Sequence, residues 1–197
     1  MLFRSVISTD ASIDGVRFQQ RFEIHGRQVR MLCVADVPEG RGDLPRLGHR
    51  FAVPPGADWI SWRGRGPHES YADRLASAPL GDWSSTIDAQ YVPYMRPQDH
   101  GHHLDTSTFS ASSGDQPLFS VRADPGQRFS FAVRRHSDED LDAASIPPEL
   151  PRRTEAFVHI DHRLRGVGTG SCGPDTLPRY RIGPETYRWG WTLTLLE

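Results

Sequence analysis

Val16-Arg17-Phe18-Gln19-Gln20-Arg21-Phe22-Glu23-Ile24-His25-Gly26-Arg27-Gln28-Val29-Arg30-Met31-Leu32-Cys33-Val34-Ala35-Asp36 is the stretch on which the fold class turns. Val16, Phe18, Phe22 and Ile24 fall on one side of an extended chain; Arg17, Gln19, Arg21 and Glu23 fall on the other, and Gln20 alone breaks the apolar side. Past His25-Gly26-Arg27, Val29, Met31, Cys33 and Ala35 alternate with Arg30, Leu32, Val34 and Asp36. Successive side chains of a strand point to opposite faces, so this period of two on both sides of a glycine turn predicts an antiparallel hairpin.

The same pattern returns at the far end, where Tyr187, Trp189, Trp191, Leu193 and Leu195 alternate with Arg188, Gly190, Thr192 and Thr194. Shorter apolar runs at 51–53, 59–62, 129–133 and 156–160 predict further strands. Ser137-Asp138-Glu139-Asp140 ahead of Leu141 offers a Ser N-cap and early acids for one short helix. The Gly, Pro and polar clusters at 38–45, 93–104, 112–117 and 146–152 read as connections between strands. None is long enough to be a linker, and no repeat interrupts the chain, so residues 1–197 read as a single all-β domain.

Composition agrees. Only 37% of the 197 residues are hydrophobic, whereas 18 Gly and 16 Pro supply many turns. The formal charge of −2, with arginines spread along the chain, gives no basic face for nucleic acid. No apolar run reaches membrane-spanning length, and residues 1–10 lack the layout of a signal peptide. Cys33 and Cys172 are too few for a disulfide framework. The expectation is a cytoplasmic protein with neither nucleic acid nor membrane as partner.

Two motifs carry chemistry. The first is Trp62-Arg63-Gly64-Arg65-Gly66-Pro67-His68-Glu69-Ser70-Tyr71-Ala72-Asp73-Arg74; the second is Gly166-Val167-Gly168-Thr169-Gly170-Ser171-Cys172-Gly173-Pro174. Between them lie Tyr91-Val92-Pro93-Tyr94-Met95-Arg96-Pro97-Gln98-Asp99-His100-Gly101 and Asp161-His162-Arg163-Leu164-Arg165. From about Leu44 to the C-terminus these blocks, in this order, resemble the last domain of the glycoside hydrolase family 2 β-galactosidases of the lactose-operon type. Arg63 stands in the usual Tyr place and Asp99 in a usual Glu place. Pro147, Pro148 and Glu149 replace a histidine the family often has before the residue matching Leu150. Cys172 stands where the best-studied members have a sugar-stacking Trp, although other members carry Ser-Cys-Gly-Pro.

The resemblance implies an antiparallel β-sandwich of the galactose-mutarotase-like supersandwich type, lacking its N-terminal third. It implies a non-catalytic C-terminal domain or subunit of an enzyme that hydrolyses terminal β-D-galactosides such as lactose. That part would buttress the barrel domain and lend the loop Gly170, Ser171, Cys172 and Gly173 to the substrate pocket. Glycoside hydrolysis needs two carboxyl groups, about 5 Å apart in retaining enzymes, and the family takes both from the barrel, with Mg and Na expected there and no cofactor in this chain. The expected partners are that barrel domain or large chain and carbohydrate, with a homo-oligomer as a further arrangement. A free-standing carbohydrate-binding or mutarotase-like module is the alternative.

Each motif also has a plainer reading. Trp62, Arg65, Gly66, Pro67, Glu69, Tyr71, Asp73 and Arg74 suit a structural network of ion pairs and hydrogen bonds better than catalysis, because buried polar groups need partners. His100, His102, His103, Asp99 and Asp105 suggest a metal, yet a Pro/Gly-rich segment reads as a solvated loop rather than a rigid ligand frame. His159 and His162 read as structural or exposed. Gly166, Gly168 and Gly170 lack the spacing and following helix of a dinucleotide site and read as turn glycines. Trp62, Trp83, Trp189 and Trp191 read as core rather than sugar platforms. Cys172 stays open between a pocket-edge contact and a buried thiol.

Overall fold

The computed structural model describes residues 4–170 and 172–196. Twelve strands form two antiparallel sheets: β1 (Arg4–Ile13), β2 (Val16–His25), β3 (Gln28–Asp36), β4 (Arg46–Val53), β5 (Trp59–Arg65), β6 (Leu80–Thr86), β7 (His103–Thr106), β8 (Thr108–Ser113), β9 (Gln116–Ala123), β10 (Phe129–Arg134), β11 (Ala156–Leu164) and β12 (Thr186–Leu195). The larger sheet runs β1-β2-β3-β12-β9-β8-β5-β6 and the smaller β4-β11-β10-β7. This is the expected all-β antiparallel class. No helix among the described residues is long and apolar enough to cross a membrane.

The predicted hairpin forms with His25 opposite Gln28, and Gly26 at φ 54° turns the chain. Its apolar side faces inward, with Val16, Met31, Cys33 and Ala35 buried. Burial pushes the Cys33 thiol up to about 12. Gln20, the break in the pattern, meets the His49 ring at 3.0 Å and so has a polar partner from the opposite sheet. β12 lies between β3 and β9, which is why Tyr187, Trp189 and Trp191 are buried. One apolar cluster joins the two sheets: Phe109 stacks on Phe131 at 4.5 Å, and His49 lies 5.9 Å from Trp189.

The connection expected at 112–117 is mostly strand, since Gly114 and Asp115 alone separate β8 from β9. Ser and Thr on exposed faces had masked the alternation there. The short helix α1 (Asp138–Ala143) begins at Ser137 in a capping box with Asp140, as its acids suggested.

Candidate functional site

All six residues of β10 are buried, which a strand covered on one face cannot show. Its inner side chains Phe131 and Val133 join the core, whereas Ser130 and Arg134 sit under the segment before β7 and under α1. That second cover, on the outer face of the small sheet, is where the chemistry-bearing residues collect.

The first motif leaves the large sheet here. Trp62 donates its Nε1–H to the Arg65 carbonyl at 2.9 Å and packs its ring 4.3 Å from His103. Arg65 bonds Asp105 and the Ala78 carbonyl at 2.6 and 3.0 Å. Gly66, joined to Pro67 by a cis bond, leaves no room for a Cβ, which would lie 2.8 Å from the Trp83 ring. Glu69 then gathers the chain: its carboxylate accepts from the Tyr94 hydroxyl, from Arg74 at 2.7 Å, from the Gly101 N–H at 2.8 Å and from the Tyr71 hydroxyl at 3.2 Å. Burial and the neighbouring Glu69 carboxylate push the Tyr71 hydroxyl far above its ordinary range, so it stays a donor.

Asp73 reaches instead to the second motif. It accepts the N–H groups of Val167 and Gly168 at 3.0 and 2.7 Å and the Thr176 hydroxyl at 3.0 Å. Burial works to raise its pKa, but these donors outweigh burial and hold the carboxyl below its usual range. Gly166 allows the approach, since a Cβ there would stand 2.8 Å from the Asp73 carboxyl carbon. Gly168 adopts φ 62°, a left-handed conformation that glycine takes without strain. Arg165, bonded to Asp43 and Asp175, fixes the loop's entry; Thr169 N–H and hydroxyl both bond the Pro174 carbonyl and close its neck. The tip is left open: nothing stands within 4 Å of a Cβ at Gly170, and Cys172 is an exposed free thiol. The buried-thiol reading of Cys172 is therefore wrong, because Thr169 and Pro174 form the neck and leave no core beneath the tip. Ser171 lies outside the described residues.

The histidine segment corrects the sequence reading most. His100, His102 and His103 are 1%, 0% and 0% exposed, so the segment is not a solvated loop. His103 contacts the Arg65 carbonyl at 3.1 Å and the Gln90 side-chain amide at 2.6 Å. His102 contacts Asp99 at 2.9 Å and the Ser130 hydroxyl at 3.3 Å. Asp99 also accepts from Arg46 and Arg134, and Asp138 accepts from Arg134 at 2.9 Å while lying 3.1 Å from His159. Burial pushes His102 and His103 down to about 4, so both are neutral near pH 7. Burial opposes ionisation of Asp99, but His102, Arg134 and Arg46 overcome it and keep it a carboxylate. Asp161 has no hydrogen-bond partner for either oxygen, and burial pushes it up to about 7 against the pull of Arg46, 3.6 Å away. No group of three or more His, Cys, Asp or Glu among the described residues is arranged to hold a metal.

Residues 3–193 match the family described as "Beta galactosidase small chain". The chain belongs to the β-galactosidase small-chain family. The match includes β1 to β3, which the motif blocks did not cover. The chain is 32% identical over 187 residues to a β-galactosidase of Arthrobacter sp. (strain B7), covering 92% of this chain and 18% of that protein. It is 30% identical over 184 residues to a β-galactosidase of Vibrio cholerae serotype O1, covering 90% and 17% respectively. A β-galactosidase of Kluyveromyces lactis is 30% identical over 155 residues, 77% of this chain and 14% of that protein. The chain thus spans less than a fifth of the length of these relatives. Among solved structures, a putative aldose 1-epimerase from Escherichia coli aligns over 96% of this chain and 63% of its own at TM-score 0.41 and 11% identity. So loose a likeness carries neither an activity nor a named fold.

Within this small-chain family member the two motifs meet through Asp73 and the loop it holds, although 94 residues separate Asp73 from Val167. Trp62, Trp189 and Trp191 are 4%, 5% and 7% exposed, which commits them to the core; Trp59, at 43%, is the exposed indole. His162 stacks on Trp189 at 5.0 Å with nearly parallel planes. The Arg46, Arg134 and Asp138 partners of the histidine cluster were missed. Arg46 and Arg134 come from strands far apart in sequence, Asp138 follows Arg134 by four residues at the start of α1, and no local pattern marks the three as partners.

Proposed function

We propose that this chain is the non-catalytic C-terminal part of a β-galactosidase acting on terminal β-D-galactosides such as lactose. It buttresses the barrel domain and lends Gly170, Ser171, Cys172 and Gly173 to the substrate pocket. The observation that carries the reading is the Asp73 clasp: three donors of one loop end on one carboxylate, leaving the tip projecting and open. A tip held at its base is suited to meet a ligand bound on another domain. The catalytic carboxylates, and the Mg and Na expected with them, belong to that barrel domain, and the assembled enzyme acts in the cytoplasm.

The test is co-expression with a β-galactosidase chain that lacks the matching C-terminal region, followed by kinetics on lactose. Turnover is expected only when both chains are present. Asp73→Asn should leave assembly intact and raise KM by about tenfold, because the loop loses its placement. Turnover by the isolated chain, abolished by replacing one of its own acids, would refute the proposal.

A further inference from the structure

Ile87, Tyr91, Pro147 and Leu150 make the apolar wall of a cleft of about 400 Å³ at the end of β10. Small-molecule sites span about 300–1,000 Å³. The cleft is enclosed by the short 3₁₀ turns Asp88–Gln90 and Pro147–Glu149 and by the last residues of the strand, and no residue of β1 to β3 borders it. Tyr91 stands edge-on to His100 at 5.4 Å and lies 5.5 Å from His136, so three rings share this space.

Its polar groups are buried and incompletely bonded. His100 is 1% exposed, and its Nδ1 lies 2.9 Å from the Gln98 carbonyl oxygen. Burial lowers the pKa of the ring, which is neutral near pH 7 and has one hydrogen. A carbonyl only accepts, so that hydrogen is on Nδ1, and Nε2 is a bare acceptor on a residue that lines the cleft. His136 Nδ1 is buried with no partner. Arg134 gives its two terminal nitrogens to Asp99 and Asp138, and its Nε–H is buried and unbonded. Buried polar groups without partners are rare, and a ligand that bonds them relieves the cost of their burial.

Charge narrows the ligand. Arg135 and Arg152 both pair with Asp88, and Arg134 is held between two carboxylates, so no unpaired cation awaits an anion. What is left to satisfy is an acceptor at His100, a donor at Arg134 and an apolar wall at Tyr91 and Leu150. A pyranose meets all three on one ring, since each hydroxyl both donates and accepts while its C–H face packs on an aromatic side chain.

We propose that this cleft binds a monosaccharide, with Tyr91 and Leu150 against the sugar's C–H face and His100 Nε2 accepting a hydroxyl hydrogen. An aliphatic ring without several hydroxyls would leave the imidazole and guanidinium nitrogens unbonded. The cleft shares no residue with the loop at 166–174 and needs no second chain, so it stands apart from the galactosidase reading.

The test is a nuclear magnetic resonance titration of the isotopically labelled full chain with D-galactose and, separately, with D-glucose. Backbone amide signals of residues 87–91, His100 and 134–136 should shift saturably with a Kd of about 1 mM, while those of β1 to β3 stay still. His136→Phe keeps a ring beside Tyr91 but removes its nitrogens, and should weaken binding about tenfold. Leu150→Trp, at the half-buried lip, should fill the cleft and abolish binding. Absence of a saturable shift with either sugar overturns the proposal, as does binding that neither variant alters. Cyclohexanol binding as tightly as the sugars would overturn it too, by making the cleft an apolar site. If His136→Phe fails to fold, Leu150→Trp alone decides.

Discussion

His103 is wedged between Trp62 and Phe131, with ring centroids 4.3 and 5.1 Å away. Neutral at pH 7, it carries one ring N–H for two oxygens, the Arg65 carbonyl 3.1 Å from Nδ1 and Gln90 Oε1 2.6 Å from Nε2. His103→Ala leaves a cavity and strips two buried polar groups of their partner. A loss of about 3 kcal/mol is expected from urea unfolding; an unchanged midpoint would mean that the imidazole contributes no more than a methyl. Asp73 and Glu69 were legible as network residues from their motif. The histidines were not, because Gly and Pro around them signal a loop equally well when that loop is covered.

At the scale of elements, close strand approach is set by glycines that sequence cannot rank. Gly48 of β4 faces Asp161 of β11, and a Cβ there would lie 2.6 Å from the Asp161 Cα and the Ile160 carbonyl oxygen. Both obstacles are backbone, so the strands must part. Gly48→Ala should cost about 3 kcal/mol. Gly183, with nothing within 4 Å of a Cβ, is the matched control, and Gly183→Ala should stay within about 0.5 kcal/mol. Equal losses in thermal unfolding would remove the steric explanation. Hairpins and the capped helix were readable because turn and cap chemistry is local. β8 and β9 were not, because the Thr and Ser positions of β8 lack apolar contrast and β9 opens on Gln116-Pro117, which reads as a turn.

Across the whole molecule, buried titrating groups set the acid stability. Burial holds His49, His102, His103 and His162 at about 4, below the ordinary 6.5. Depressed histidines contribute stability that is present above pH 6.5 and lost as pH falls toward 4. Asp161, raised from 3.8 to about 7, acts oppositely: its contribution is full below 3.8 and lost as pH rises through 7. Four groups outweigh one, so Tm should fall between pH 6.5 and 4.5. Asp161→Asn should melt higher than wild type at pH 7.5 and decline more steeply into acid. Parallel Tm profiles for the two proteins would show that the Asp161 carboxyl titrates alike in the folded and unfolded states.

Sequence alone determined the antiparallel all-β class, the β2–β3 hairpin, the buried indoles of β12 and membership of a galactosidase lineage. These rest on side-chain alternation, turn residues and motifs that span only a few positions. Tertiary structure decided the rest: the clasp of Asp73 on a distant loop, the open tip at Cys172, and the burial of three histidines at and before the start of β7. Whether a polar group can be buried depends on partners from other strands. Asp99, half-buried beside His102, stays a carboxylate because His102 bonds it and Arg46 and Arg134 arrive from β4 and β10 to neutralise it.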